Sequence, residues 1–484
     1  MRADSLSVWL GRAMLAIFLV VCAAALALGV TQERAYTQAF LLGLVWVAAA
    51  LWLLRPLCRL TAELGRVRIW IALTVLCLAV KGAWVLLVQV PVSGDYAVFW
   101  GYAQSLARSE TIDGGRYVAL FPHIFGYASF LSWFIRVLGP LPMLAQTLNV
   151  ILSVCSGSLL FLLGERWWGL PAGISAYLFW IACPSQTMYN SLVLSEPLYT
   201  TLILLFLLLA TCLTRWSGSP RPVLRGVLWG VAAGLLLRWI NGLRPIAAIL
   251  LIASFLWVLL LRSGKLKDGG TRRLFLPFLA VMTVVYLVTG PLWNAHIARR
   301  IGEAPSTTPG YSVLVGFNPA SGGRWNQQDS DTLFGYSDQP GATAQQAQAA
   351  AMEDAKARIT SGQVDFTQLF RQKIRIFLGS DNTCVGYSSA VLRHTELFSK
   401  VCNSFYYGIV LLSLAGAVQL WRRGAGSAAL LAPLYVLGLT SAQMLVEVAG
   451  RYHYSLIPML VLVAQAGLWD TGTSPAAGPR RKHQ

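Results

Sequence analysis

Charge is what this sequence is short of. Charged side chains make up 12% of its 484 residues and hydrophobic ones 56%, whereas a soluble domain carries roughly 25% charged. A soluble globular fold is excluded, and an all-α polytopic membrane protein is implied. Acids are scarcer than bases, 20 against 38, which leaves a formal charge of +18. The basic residues fall largely in short loops between apolar runs, with others in one long loop, so the excess reads mainly as membrane topology and no nucleic-acid partner is expected. No Cys/His cluster has metal-ligand spacing; no cofactor is expected, with metal dependence left open. Most of the eight cysteines sit inside apolar runs as small hydrophobes. Only Cys384 and Cys402 lie in a predicted external segment, where a disulfide and two free thiols are both open. No fixed-period repeat occurs, and no pair of broken helices in matching halves of the kind transporters use.

What is present is a series of about twelve apolar spans, each near the roughly 20 residues a bilayer crossing needs. The first two, about 8–30 and 39–54, form an N-terminal hairpin within residues 1–68, closed by the arginine-rich RPLCRLTAELGRVR. Residues 69–293 form the transmembrane core. Its first external loop, 91–141, holds two amphipathic pieces, about 96–107 and 117–138, rich in the aromatic residues that favour the headgroup level. Residues 294–403 form a long extracytoplasmic region: GFNPASGGRWN is turn-rich, GATAQQAQAAAMEDAKARI a water-exposed helix, and VDFTQLFRQKIRIFLG a basic amphipathic helix expected to lie on the membrane. Residues 404–470 add the last spans, and 471–484 are a cytoplasmic tail.

The chain is organised around PVSGDYAVFW, where an apolar segment leaves the bilayer and meets one acid, Asp95. Asp95, Glu196, Arg238, Arg244, Glu447 and Arg451 all map to the outer ends of spans, whereas Lys81 lies about twelve residues into its span. Ionisable groups in such places usually face a cavity or a partner. For Asp95 the plain alternative is a solvated loop acid, for Glu196 a helix-start acid favoured by the macrodipole, and for Lys81 snorkelling to the interface. A cavity holding carboxylates and several arginines suits a substrate that is half lipid and half anionic sugar phosphate, with guanidinium forks on the phosphate. Asp95 would then take the proton of an incoming hydroxyl. Lys81, Arg244, Arg451 and Arg238 would hold the donor phosphate.

With Asp95, SEPLY, LRP and GRYHYSLIP together, residues 69–458 resemble the polyprenyl-phosphate-sugar-dependent GT-C glycosyltransferases, which include protein O-mannosyltransferases and lipid A aminoarabinose transferases. The resemblance implies an inverting enzyme in the cell envelope, of a kind many of which need no metal. It would move a sugar from a polyprenyl phosphate to an extracytoplasmic glycan, lipid or protein. It gives roles to an external acid following a buried base (Asp95 after Lys81), an interfacial proline (Phe121-Pro122) and a late Arg451-Tyr452 pair. Tyr96 stands where relatives often have a second acid. Arg116 or His123 would replace a lysine commonly found ahead of that proline; for His123 the plain reading is an interfacial histidine hydrogen-bonded to its surroundings. Trp325 and Asn326 would touch a sugar or merely close a turn, and Glu447 and Tyr452 would complete the pocket. The rival readings are a lipid-linked sugar flippase or transporter, and a non-catalytic scaffold of envelope assembly.

Overall fold

The computed structural model describes residues 2–108, 112, 114–141, 143–423 and 427–469; the expected tail at 471–484 lies outside the described residues. Every regular element among them is helical. In order these are α1 (Arg2–Val30), α2 (Arg34–Ala62), α3 (Arg66–Leu87), α4 (Asp95–Ala107), α5 (Gly115–Leu120), α6 (His123–Leu138) and α7 (Met143–Trp168). Next come α8 (Leu170–Ala182), α9 (Pro184–Met188), α10 (Glu196–Leu213), α11 (Pro222–Leu243), α12 (Ala247–Phe255) and α13 (Gly269–Ile301). The chain continues through α14 (Gly310–Gly316), α15 (Gln327–Ser337), α16 (Ala344–Thr360), α17 (Phe366–Leu378) and α18 (Thr383–Tyr387). It ends with α19 (Thr395–Arg423), α20 (Leu431–Leu445) and α21 (Leu456–Trp469).

Among the described residues nine helices are long and apolar enough to cross a membrane, and three shorter apolar ones cover 170–182, 247–261 and 456–469. The chain is a multi-pass membrane protein. Small residues let its helices approach closely. Gly226, Gly230 and Gly234 stand one turn apart on α11, and a Cβ on Gly230 would lie 2.9 Å from the Phe278 carbonyl oxygen of α13. Gly126 of α6 meets the backbone of Gly242 at the end of α11 in the same way.

One end of the bundle is tied by basic residues. Arg66 Nε meets Glu165 Oε1 at 2.6 Å, joining the start of α3 to the end of α7. Arg166 donates to the Thr211 carbonyl at 2.8 Å, and the Arg225 guanidinium stacks 3.7 Å from the Trp216 ring centroid. The opposite end carries α4 to α6 and α14 to α18.

Several expectations need correction there. The expected piece 117–138 breaks at Phe121-Pro122 into α5 and α6, because proline cannot continue a helix that starts before it. The segment 183–190 forms the buried α9 and a following 3-10 turn. Its Ser185 Oγ donates to Asp381 Oδ2 at 2.5 Å, under the cover of the C-terminal end of α17. Helix α13 runs two turns past the expected exit at 294, to Ile301. Helix α16 is not wholly water-exposed: Ala344, Ala347, Ala351 and Ala355 form a buried stripe. In α17, expected to carry its bases on an outer face, Lys373 is completely buried. Cys384 and Cys402 are free thiols, both facing Met188 Sδ at 3.8 and 3.7 Å.

Candidate active site

The residues brought to the loop-bearing end come from four separate stretches. Asp95 opens α4 after the turn Ser93-Gly94, and its Oδ2 accepts from Arg451 Nη2 at 2.7 Å. Glu196 is the first residue of α10, so its carboxylate faces unpaired amides where the helix dipole favours a negative charge. It also lies 3.5 Å from Arg244 Nη2 and 3.9 Å from Arg451 Nε. Arg244 follows the last turn of α11 and stacks on Tyr452 at 4.3 Å. Tyr452 donates its hydroxyl to Glu447 Oε1 at 3.0 Å. Glu196 thus stands at a helix start and also faces two arginines, and Asp95 is both solvent-exposed and paired with Arg451.

Burial differs sharply across the cluster. The Asp95 side chain is 59% exposed, Arg451 13% and Glu196 3%, so the cluster opens toward Asp95. Arg451 Nε is buried and has no hydrogen-bond partner, and neither has the Tyr96 hydroxyl. An unpaired guanidinium N–H held out of water costs about 1–3 kcal/mol unless something accepts from it, which marks this edge as a place for an anion. Burial raises the Glu447 carboxyl above its usual range, against the pull of its Tyr452 hydrogen bond and of Arg451 and Arg244. His123 lies within the influence of Arg244, Arg451 and Asp95. Burial first, and the two arginines second, push it down to about 3, so it is neutral at pH 7.

The extended piece 446–449 that carries Glu447 toward Arg451 is held by the segment 312–323. The Glu447 amide donates to the Ser312 carbonyl at 2.7 Å, and the Val448 amide to that of Gly323 at 2.8 Å. Gly323 can present its carbonyl there because it and Gly322 take φ values of 78° and 62°, which other residues rarely adopt. Lys373 Nζ donates to three carbonyls, Gly316 at 2.8 Å, Met444 at 2.9 Å and Val446 at 2.7 Å. One buried ammonium thus fastens α17, the α14 turn and the end of α20 together. Behind it, Asp329 accepts from Arg358 at 2.7 and 3.2 Å and from Asn318 and Asn326 at 2.8 Å each. Burial would raise its carboxyl, yet these four bonds hold it below the usual range.

Other expected site residues lie elsewhere. Arg238 donates to the Tyr286 carbonyl at 2.7 Å and stacks on that ring, between α11 and α13. It lies within α11, whereas Arg244 stands past the last turn of that helix in extended backbone. Lys81 is fully buried and donates to Thr187 Oγ1 at 3.1 Å, with Trp180 at 5.3 Å. It neither snorkels nor joins the arginines. Arg116 pairs with Glu303 at 2.7 Å and with the Ser337 carbonyl, bracing α5 against the end of α13. Asn326 caps α15 by accepting from the Asp329 amide at 2.9 Å, which realises the turn-closing reading. Trp325 is 57% exposed. Among the described residues no group of three or more His, Cys, Asp or Glu side chains could hold a metal.

Sequence reasoning missed Tyr387, whose ring meets Tyr96 at 5.7 Å and Arg451 at 5.7 Å. A tyrosine in GYSSAVL carries no signal that it will reach the cluster. It also missed His453, next to Tyr452, which bonds the Phe377 carbonyl at 2.6 Å and Asp381 at 3.0 Å.

No protein-family model matches this chain, and no curated protein does. Among solved structures it is similar to the crystal structure of ArnT from Cupriavidus metallidurans bound to undecaprenyl phosphate. The identity is 15%, the match covers 83% of this chain and 78% of that one, and the TM-score is 0.36.

Proposed function

We propose that this chain is a GT-C type glycosyltransferase of the cell envelope that moves a sugar from a polyprenyl phosphate to an extracytoplasmic acceptor. The observation that carries the reading is the meeting of Asp95 and Arg451, 356 positions apart in the chain, in a cluster that also holds Glu196 and Arg244. A base beside a half-free guanidinium at the rim of a membrane bundle fits a donor whose tail stays in lipid. Helix directions support the outward assignment: the cluster lies opposite the basic loops, which favour the cytoplasmic side.

In the proposed step the acceptor hydroxyl oxygen forms a bond to the sugar's anomeric carbon as the bond from that carbon to the phosphate oxygen breaks. The lipid phosphate leaves with the electron pair, facing Arg451 and Arg244. Asp95 takes the hydroxyl proton. An ordinary carboxylate is a weak base for an alcohol, so proton transfer accompanies bond formation. Glu196 sets the two guanidinium groups, and His123 and Tyr452 line the pocket.

Asp95→Asn keeps size and one acceptor oxygen but cannot take the proton. It is expected to lower transfer by about 10² to 10⁴ with expression unchanged, measured as envelope glycan mass against wild type. Transfer by the Asn variant at near wild-type rate would remove the catalytic assignment. A transporter or scaffold would be indifferent to the change.

A further inference from the structure

Directly after Arg451 and Tyr452 the chain buries a titratable side chain that the proposed reaction does not use. His453 Nδ1 meets the Phe377 carbonyl at 2.6 Å, and its Nε2 meets Asp381 Oδ1 at 3.0 Å. The other carboxyl oxygen, Oδ2, accepts from Ser185 Oγ at 2.5 Å. Serine, histidine and aspartate make up a hydrolytic triad, but there the imidazole stands between the other two, whereas here the carboxyl does. With all three side chains buried, the arrangement is a strut and not a nucleophile.

The bonds fix where its protons are. A carbonyl only accepts, so Nδ1 carries a hydrogen. Were Asp381 ionised and Nε2 bare, two lone pairs would face each other at 3.0 Å, so one further proton lies in the contact between Nε2 and Oδ1. The pair is neutral overall whichever partner carries that proton. Its surroundings hold it in place: the Tyr406 ring stacks on the imidazole with centroids 5.6 Å apart, and the Asp381 amide donates to Asn403 Oδ1 at 2.8 Å.

His453 closes the 3-10 turn Gly450–His453, in which Arg451 is the second residue. On the upstream side the chain is tied at Glu447 and Val448, to the carbonyls of Ser312 and Gly323. Downstream, His453 ties it to the end of α17. A Cβ on Gly450 would run into Thr383 Oγ1, so the turn also lies tight against α18. Arg451 is thus the residue suspended between two fastenings, with its guanidinium on Asp95 and near Glu196.

We propose that His453 and Asp381, braced by Ser185, are positioning residues that aim Arg451 at the donor phosphate. The proposal rests on the glycosyl-transfer reading for what Arg451 holds. None of the three touches substrate; they act through the turn.

Binding of decaprenyl phosphate to the full chain in lipid nanodiscs tests this by a double-mutant cycle. His453→Ala is expected to weaken binding about ten-fold, Arg451→Gln at least as much, and the double variant no further than Arg451→Gln alone, because residues of one network do not add. Losses that multiply would make His453 a general support of the fold and overturn the proposal. Asp381→Asn is the conservative control. Its amide can donate to Nε2 while its oxygen accepts from Ser185, so binding is expected to stay within about two-fold of wild type, whereas Asp381→Ala falls as His453→Ala does. An Asn variant as weak as the Ala variant overturns the shared-proton strut. Ser185→Ala removes one hydroxyl and little volume; it carries the same cycle, with a smaller loss that Arg451→Gln abolishes, if His453→Ala does not fold. Should Arg451→Gln leave binding unchanged, the glycosyl-transfer reading loses its phosphate holder, and amide hydrogen exchange then decides the positioning by itself. Exchange at Tyr452 and Tyr454 is expected to rise in His453→Ala and to stay at the wild-type rate in Asp381→Asn; equal rates in all three overturn the proposal.

Discussion

At the scale of single residues, Lys373 shows how a buried charge can serve geometry. Burial holds its ammonium down to about 8, with only Glu447 supporting the charge. Below that pH the folded and unfolded chains bind the same proton. Between about 8 and the ordinary lysine value near 10.4, the unfolded chain binds more protons, so this residue adds stability as the pH rises across that window. The stability gap between wild type and Lys373→Met should therefore widen from pH 8 to pH 10, read by thermal melting at matched ionic strength. At pH 7 the variant leaves three buried carbonyls without a donor, which costs roughly 1–3 kcal/mol. Its loss should also raise amide hydrogen exchange at Glu447 and Val448 more than elsewhere, because those two amides depend on the fastening. Unchanged exchange there would show that the segment is held by its neighbours alone.

At the scale of elements, one close helix contact is the glycine face of α11 on α13. Here the two backbones approach closely, and Gly230→Leu would force them apart. Overpacking of this kind costs about 1–3 kcal/mol and is expected to lower the melting temperature, whereas Gly218→Leu, in open space after α10, should not. If both changes melt alike, the contact is not tight. Elements also explain which sequence expectations held. Spans were legible because a run of apolar residues has one stable place. Their ends were less so: α13 continues to Ile301 and α2 spans Arg34–Ala62, since helical hydrogen bonding carries on after hydropathy falls. Helix α17 reads as an interfacial helix from its alternation of phenylalanine and base, and only the arrival of the Gly316, Met444 and Val446 carbonyls turns Lys373 inward.

At the scale of the whole molecule, the cluster of Asp95, Glu196, Arg244 and Arg451 and the basic ties around Arg66, Arg166 and Arg225 stand at opposite ends of one bundle. A membrane-impermeant thiol reagent applied to intact cells should label Ser389→Cys and leave Ser217→Cys unlabelled until the membrane is opened. The reverse pattern would put the cluster in the cytoplasm and end the proposed use of an extracytoplasmic acceptor. With the cluster outside, the charge of +18 serves as orientation.

The sequence by itself determined that the chain crosses a membrane many times, and it singled out Asp95, Glu196, Arg244, Glu447 and Arg451 as ionisable residues at span ends. Hydropathy and charge are local properties, so a linear reading captures them. Only the tertiary structure decided which of those residues meet. It kept Arg238 and Lys81 apart from the cluster, brought Tyr387 in, and buried Lys373 under a region whose fold has no local signature. Side-chain direction on a helix turns by about 100° per residue, and contacts between distant segments depend on how whole helices rotate against one another. That rotation is set by packing across the molecule and is written in no single stretch of it.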